Sequence, residues 1–254
     1  MLTRLEVLYL ALEPFLLPLH RCVRRELRAR IGCPGSPPKL LDVGGRKSNV
    51  TIGIPATVSI SDLPRESDLQ KQLHLGINEA IVRQILARRS NVREVVFDDM
   101  TRSKFADATF DLIVSVEVLE HVDEDEQFIR HIARILKPGG VFLMTTPNGD
   151  YVPNNSNSDH RRHYKKKALE KLLAAHLDAV EAWYAILESR WRDRGLVGWS
   201  TKHPVATLAS MLGNFINNIQ SERPEIRSQA NGTHHLFAVG KGPQAKVRSA
   251  RHLY

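Results

Sequence analysis

From Lys39 to Pro147 the chain repeats one unit: a short apolar run that ends in an acid or a turn, then a longer segment with helical spacing. This alternation constrains the fold more than any other feature. Strands that run parallel need a crossover of a dozen residues or more, and a helix is the usual crossover. The runs "KLLDV", "ATVSISD", "REVVFDD", "TFDLIVSVEVL" and "VFLMTTP" read as strands. The fourth is the most hydrophobic, as expected of a strand covered on both faces. Leu75 to Arg88 has helical spacing, and "DEDEQFIRHIARILKPGG" is a helix with acids in its first turn and a Pro-Gly-Gly stop. Past Asn148 come a long polar loop, "GDYVPNNSNSDHRRHY", a helix "KKKALEKLLAAH", a strand "AVEAWYAILES", a helix "PVATLASMLGNFINNI" and a last strand "HHLFAVGKG". The pattern predicts an α/β fold with a doubly wound, mostly parallel sheet.

The turn-rich "GCPGSPP" divides an N-terminal helical extension, 1–36, from a core domain, 37–241, and a basic flexible tail follows at 242–254. The apolar opening "LEVLYLALEPFLLPLH" is broken by Glu6, Glu13, Pro14 and Pro18 and is too short to span a bilayer. It reads as a helix packed on the domain, or as a peripheral membrane contact with Arg21, Arg24, Arg25 and Arg28 turned to anionic lipid. Two cysteines, Cys22 and Cys33, form neither a disulfide framework nor a four-ligand zinc site, which points to free thiols and a cytoplasmic location. The formal charge of +8 suits an anionic small molecule, a membrane surface or nucleic acid. With 6% aromatics and no recognisable nucleic-acid module, nucleic acid is the least favoured of these. Nothing in the sequence fixes an oligomeric state.

In an open parallel sheet a ligand sits outside the carboxyl ends of the strands, near the point where strand order reverses. Acids stand at three such ends: Asp42, with Gly44 and Gly45 after it, then Asp62, then Asp98 and Asp99. Asp62 lies about twenty residues beyond the first loop, the spacing at which a carboxylate accepts both hydroxyls of a ribose. An acid at the third end can accept from an adenine amino group. Together these residues describe a pocket for an adenosine. A dinucleotide fits poorly, because a pyrophosphate needs a glycine-rich turn, and Arg46, Lys47 and Ser48 stand where those glycines belong.

The runs "LLDVGG", "SISD", "VFDDM", "FADATFDLIVSVEVLEHV", "ILKPGGVFLMTTPN" and "DHRRHY" together resemble the class I S-adenosylmethionine-dependent methyltransferases, in particular the group that includes the ubiquinone-pathway O-methyltransferases. The resemblance covers about 39–175, with an echo in the last strand. It implies a seven-stranded sheet whose last strand runs antiparallel between the fifth and sixth, and S-adenosyl-L-methionine as cofactor. It implies Asp42, Gly44 and Gly45 beneath the methionine part, Asp62 with Leu63 at the ribose, and Asp99 and Met100 around the adenine, with Asp98 the lesser partner. Val116 and Glu117 face cofactor and substrate. Arg46 departs from the family glycine; it either pairs with the cofactor carboxylate or turns to solvent, as does Lys47, or the departure abolishes binding.

Methyl transfer is an in-line displacement, to which an enzyme adds alignment, exclusion of water and a base. His121 is the first candidate base. His163 and Tyr164, in the loop after the fifth strand, are candidates to orient the acceptor. Glu117, Glu120 and His121 form E-x-x-E-H, which resembles a group proposed to hold a divalent ion in the ubiquinone-pathway enzymes; magnesium or zinc there is the metal alternative, against a metal-free reading. His160 precedes a cationic rim, Arg161, Arg162, Lys165, Lys166 and Lys167, that is either a solvated helix start or a reader of an anionic acceptor. The expected function is methylation of a small molecule or glycan precursor, at oxygen, with the N-terminal helix and 191–223 building the acceptor side. Two rivals are a non-catalytic S-adenosylmethionine-binding or regulatory module of the same fold, and an RNA or protein methyltransferase.

Overall fold

The computed structural model describes residues 2–31, 36–46, 48–64 and 76–244. Lys47, Cys33, Leu75 and most of the basic tail therefore lie outside the described residues. Seven strands form one sheet: β1 (Lys39–Val43), β2 (Thr57–Asp62), β3 (Val92–Phe97), β4 (Phe110–Val116), β5 (Leu136–Pro147), β6 (Asp178–Leu187) and β7 (Thr233–Lys241). Their order is β3-β2-β1-β4-β5-β7-β6. The pairs β1/β2, β1/β4, β2/β3 and β4/β5 are parallel. β7 runs antiparallel to both β5 and β6. This is the doubly wound sheet with an inserted antiparallel last strand that the sequence predicts. Order reverses at β1, where the chain leaves for β2 and β3 on one side and returns to β4 on the other.

The strands are buried because their sequences are apolar on both faces. Leu41, Ile113, Phe142 and Met144 pack with Phe128, Ile129 and Ile132 of the helix α4 (Asp125–Ile135) on one face. Those three helix residues follow the i, i+1, i+4 spacing of a buried stripe. Leu40, Val58, Ile60 and Val114 build the other face. The helix after β2, α3 (Glu79–Arg88), starts at Asn78, whose side chain accepts from the Ile81 amide. One boundary differs from expectation. The segment Lys137 to Gly140 is not a helix stop but the start of β5, because Leu136 already pairs with Phe110. Beyond β5, α5 spans Lys166–Ala174.

The N-terminal extension is two helices, α1 (Arg4–Ala11) and α2 (Pro18–Arg30), broken at the two prolines. α2 packs Cys22, Val23 and Leu27 into the second core face. Its arginines are not turned to lipid. Arg24 is fully buried, donating to the carbonyls of Val50 and Ile52 and pairing with Glu13 at 2.9 Å. Arg28 pairs with Glu13, while Arg21 and Arg25 each reach Glu222 at 3.3 Å. A short helix, α6 (Arg190–Gly195), leads to α7 (Pro204–Ser221). α7 inverts the usual pattern. It buries Ser210, Asn214, Asn217 and Asn218 and leaves Val205, Leu208, Leu212 and Ile219 exposed. The buried amides explain this: Asn218 donates to the carbonyls of Pro14 and Leu16, and Asn217 to that of Leu187. Among the described residues no helix is long and apolar enough to cross a membrane.

Candidate active site

The turn after β1 needs both of its glycines. Gly44 has a φ of +68°, and a Cβ there would stand 2.7 Å from Val118 Cγ2. A Cβ on Gly45 would stand 2.5 Å from the carboxyl carbon of Asp42. The Gly44 amide donates to Ser61 O at 2.8 Å, which ties this turn to the end of β2. Asp42 lies beneath the turn and is fully buried. Its Oδ2 accepts from Thr51 Oγ1 at 2.8 Å, and Thr51 in turn accepts from the Arg89 guanidinium. Burial pushes the Asp42 carboxyl up to about 6, against the pull of Arg89. Asp42 braces the turn from below and does not line the cleft above it.

That cleft has a volume of about 650 Å³ and opens at the carboxyl ends of β1, β2 and β4, where strand order reverses. Gly44 and Arg46 form its floor, with Asp62 and Leu63 on one side and Val116 and Glu117 on the other. Asp62 Oδ1 accepts from the Leu63 amide at 2.8 Å. Leu19 and His20 of α2 close it from above, and His121, Asp159 and Arg161 stand at its far end.

The third acid pair divides differently from what the resemblance implies. Both oxygens of Asp99 are engaged, Oδ1 by the amide and hydroxyl of Thr101 and Oδ2 by Arg102 at 3.0 Å. Burial alone would raise this carboxyl, but the Thr101 and Arg102 bonds hold it below the ordinary aspartate value. Asp98 keeps one bond, from the Lys104 amide to Oδ1, and its Oδ2 is buried with no partner. Met100 is buried. None of the three lines the cleft.

At the end of β4, Glu117 has a φ of +54°, unusual for a residue with a side chain and costly by about 1–3 kcal/mol. In that conformation its Oε1 accepts from Thr145 Oγ1 at 2.9 Å and lies 3.2 Å from His235 Nδ1. Burial would raise the Glu117 carboxyl; His235 and Thr145 outweigh burial and hold it low, so the group stays ionised. Glu120 is the opposite case. It is fully buried, accepts from Thr146 Oγ1 at 3.1 Å, and burial with the nearby Glu117 charge drives it well up. Two carboxyls three residues apart are thus shifted in opposite directions.

His121 Nδ1 lies 3.0 Å from the Asp159 carbonyl. A carbonyl only accepts, so in the neutral ring Nδ1 carries the proton and Nε2 presents a lone pair. The same reasoning runs through its neighbours. His163 Nδ1 donates to Val152 O at 3.0 Å, so its Nε2 accepts from His160 Nδ1 at 2.7 Å, and His160 Nε2 accepts from Asn157 Nδ2 at 2.9 Å. His163 therefore stands behind His160 with both nitrogens engaged, rather than facing an acceptor. Tyr164 is buried and donates to Asp125 Oδ2 at 2.7 Å; burial and that carboxylate raise its phenol strongly. It anchors the loop to α4 and does not line the cleft.

The donor set for a metal is also rearranged. Among the described residues, Glu120, His121 and His160 offer ligand atoms within 4.8 Å of one another. His160 replaces Glu117, which is turned to Thr145 and His235. The cationic rim is largely neutralised: Arg161 reaches Asp123 at 3.3 Å, Arg162 reaches Asp125 at 2.8 Å and Lys166 reaches Glu170 at 3.7 Å. Sequence reasoning passed over His20, Asp159 and His235. Strand pairing brings His235 opposite Pro147, beside β4, and no local motif announces it.

Residues 71–144 match a sequence family described as a methyltransferase domain. Among solved structures, phosphoethanolamine N-methyltransferase 2 of Haemonchus contortus, in complex with phosphomonomethylethanolamine and S-adenosylhomocysteine, superposes with a TM-score of 0.55 at 15% identity, covering 87% of this chain and 52% of that one. The chain has the methyltransferase fold. In sequence, a Mycolicibacterium smegmatis protein named a probable S-adenosylmethionine-dependent methyltransferase is 32% identical over 108 residues, 41% of this chain and 42% of that relative. The human mitochondrial ubiquinone biosynthesis O-methyltransferase is 32% identical over 121 residues, 45% of this chain and 31% of that relative. The match thus spans less than half the length of either relative.

Proposed function

We propose that this chain is an S-adenosylmethionine-dependent methyltransferase that acts on a small molecule, at oxygen. The observation that carries the reading is the cleft itself: the Gly44–Gly45 turn, Asp62 and an ionised Glu117 meet at the reversal of strand order. These residues fit the cofactor. Asp62 would accept the ribose hydroxyls by charge-assisted bonds. The two glycines let the backbone approach the amino-acid end closely. Neither acid after β3 lines the cleft; of the two, Asp98, with its orphaned Oδ2, keeps acceptor capacity for an adenine amine, whereas the oxygens of Asp99 are spent. The negative charge of Glu117 favours a cation in the cleft.

When bound, the cofactor supplies a methyl group on a positively charged sulfur. The chain's own work is to align, to exclude water and to take a proton. His121 Nε2 is placed to take the hydroxyl proton of the acceptor, with the imidazolium then stabilised through Nδ1–H on the Asp159 carbonyl. Leu19 and His20 of α2 line the cleft and add apolar surface beside the reacting groups. A free, buried Cys22 suits a cytoplasmic protein.

Calorimetry with S-adenosylhomocysteine tests the reading. The unaltered chain should bind, and Asp62→Ala should lose about ten- to a hundredfold in affinity, the loss of a charge-assisted bond worth about 1.5–3 kcal/mol. A chain that binds no S-adenosylhomocysteine, or an Asp62→Ala variant that binds as well, sinks the proposal.

A further inference from the structure

Beside the cofactor cleft is a second cavity of about 370 Å³, a volume at the lower end for a small-molecule site. It lies between the N-terminal helices and the segment 195–199, and it shares one wall with the first: His20 lines both. Its lining holds no Asp, Glu, Lys or Arg among the described residues. Leucines 5, 8, 12, 16 and 17, with Trp199, make most of its surface. Three of its polar groups have specific states. Tyr9 carries a hydroxyl that is buried without a partner, and burial pushes its phenol up to about 12, so it stays a neutral donor. Asn214, 1% exposed, has a buried Oδ1 without a partner. Burial, helped by Arg24, pushes His20 down to about 4, so it is a neutral imidazole.

The cavity is a built feature and not a packing fault. Ser210 Oγ accepts from Trp199 Nε1 at 3.2 Å and bonds the carbonyls of Gly195 and Val197 at 3.0 and 2.8 Å, which fixes the 195–199 wall onto α7. A buried donor and a buried acceptor left unpaired each carry a desolvation penalty, and a bound polar group that pairs with them recovers it. An anion entering here would lose its hydration and meet no cation in the lining, and Arg24, behind the Tyr9 ring, is already paired with Glu13, so entry is costly. The cationic rim residues Arg161, Arg162 and Lys166, by contrast, are already paired with acids.

We infer that this second cavity is the acceptor pocket, and that it takes an uncharged, mainly apolar molecule with one polar end directed past His20 toward the cofactor cleft. This inference rests on the methyl-transfer reading and names its acceptor class. The apolar body fills the leucine-lined volume; the neutral Tyr9, Asn214 and His20 supply hydrogen bonds without charge.

Calorimetry with octan-1-ol and with octanoate, in the presence of saturating S-adenosylhomocysteine, tests it on the full chain. Octan-1-ol should bind and octanoate at least tenfold more weakly. Gly198 lines the cavity at an exposed position and a Cβ there meets no atom within 4 Å, so Gly198→Trp adds bulk to the wall with no clash at its Cβ. It should weaken octan-1-ol at least tenfold and leave S-adenosylhomocysteine binding within twofold. Leu8→Arg, at a mouth residue that is 57% exposed, is a second variant with the same expected direction. Equal affinity for the alcohol and the carboxylate overturns the inference. So does unaltered octan-1-ol binding in both variants, or competition between octan-1-ol and S-adenosylhomocysteine. S-adenosylhomocysteine binding without octan-1-ol binding sinks this inference alone; octan-1-ol binding without S-adenosylhomocysteine binding sinks the methyl-transfer reading beneath it.

Discussion

The two cavities that share His20 are built in opposite ways. The cofactor cleft is made mainly from strand ends, each a few residues long, each following its own apolar run: Gly44 after β1, Asp62 after β2, Glu117 after β4. The apolar cavity is made from segments nearly the whole chain apart, Leu5 to Leu17 on one side and Gly195 to Asn214 on the other. The first is charged and its groups are held in defined ionisation states; the second carries no formal charge. A sheet fixes where its strand ends lie, so the first wall is set by topology. The second wall depends on how α2 and α7 dock, and that docking rests on buried polar contacts: Arg24 on the carbonyls of Val50 and Ile52, and Asn218 on those of Pro14 and Leu16.

The largest expected effect separates chemistry from binding within the first wall. His121→Ala should lower kcat by about a hundredfold to ten-thousandfold, the range for a positioned proton acceptor. S-adenosylhomocysteine affinity should stay within about twofold, because the Gly44 turn and Asp62 are untouched. Parallel losses in kcat and affinity would make His121 part of the cofactor wall instead. His163→Ala and Tyr164→Phe should show the reverse pattern, a lower melting temperature with kcat changed much less, since both side chains hold the loop from behind.

The second comparison tests whether α2 really holds the apolar wall in place. Burial alone would raise Glu13, but Arg28 and Arg24 hold its carboxyl down to about 2, from an ordinary 4.5. A carboxyl whose folded value is depressed adds stability above its unfolded value and loses it as pH falls through the folded one. Glu13→Gln should therefore cost about 2 kcal/mol at pH 7, the scale of a charge-assisted bond. The difference from the unaltered chain should shrink between about pH 4.5 and 2. Urea midpoints across that range measure it. A difference that persists undiminished at the acid end means the pair does not anchor α2.

The sequence was legible where structure is local. Strand positions, the reversal point and the cleft residues Gly44 and Asp62 follow from apolar runs that end in acids or glycines, while Leu63, Val116 and Glu117 come from the family resemblance. It was not legible where a side chain is committed by a distant partner. Arg24 reads as a surface cation on a basic helix, yet Glu13 and two carbonyls from the loop after β1 draw it inside. α7 reads simply as a helix, yet its asparagines are buried, because they donate to the carbonyls of Leu16 and Leu187. His163 and Tyr164 read as acceptor-facing because the resemblance puts an acceptor loop after the fifth strand; Val152 and Asp125 take them instead.

The third acid pair gives a smaller effect that sharpens the same lesson. Asp99→Asn should change S-adenosylhomocysteine affinity by less than about threefold, since its oxygens already serve Thr101 and Arg102. Asp98→Asn should cost about tenfold, close to 1.4 kcal/mol, because the orphaned Oδ2 is the acceptor with capacity to spare. Calorimetry on the two variants decides between the position that family likeness favours and the one that hydrogen-bond bookkeeping favours.

The smallest effect concerns charge at the rim. If the acceptor were an anion read by Arg162 and Lys166, its KM would rise steeply between 50 and 200 mM salt, as interactions across roughly a Debye length of 10 Å are screened. Arg162 is instead 2.8 Å from Asp125 and also donates to the Asp123 carbonyl, and Lys166 is 3.7 Å from Glu170. Each cation already has an acid beside it, so little net field is left to act on a ligand. Arg162→Ala and Lys166→Ala should each change the KM of an uncharged acceptor by less than about twofold, with no salt dependence beyond that of the unaltered chain. A steep salt dependence that vanishes in Arg162→Ala would move the acceptor from the apolar wall to the charged one.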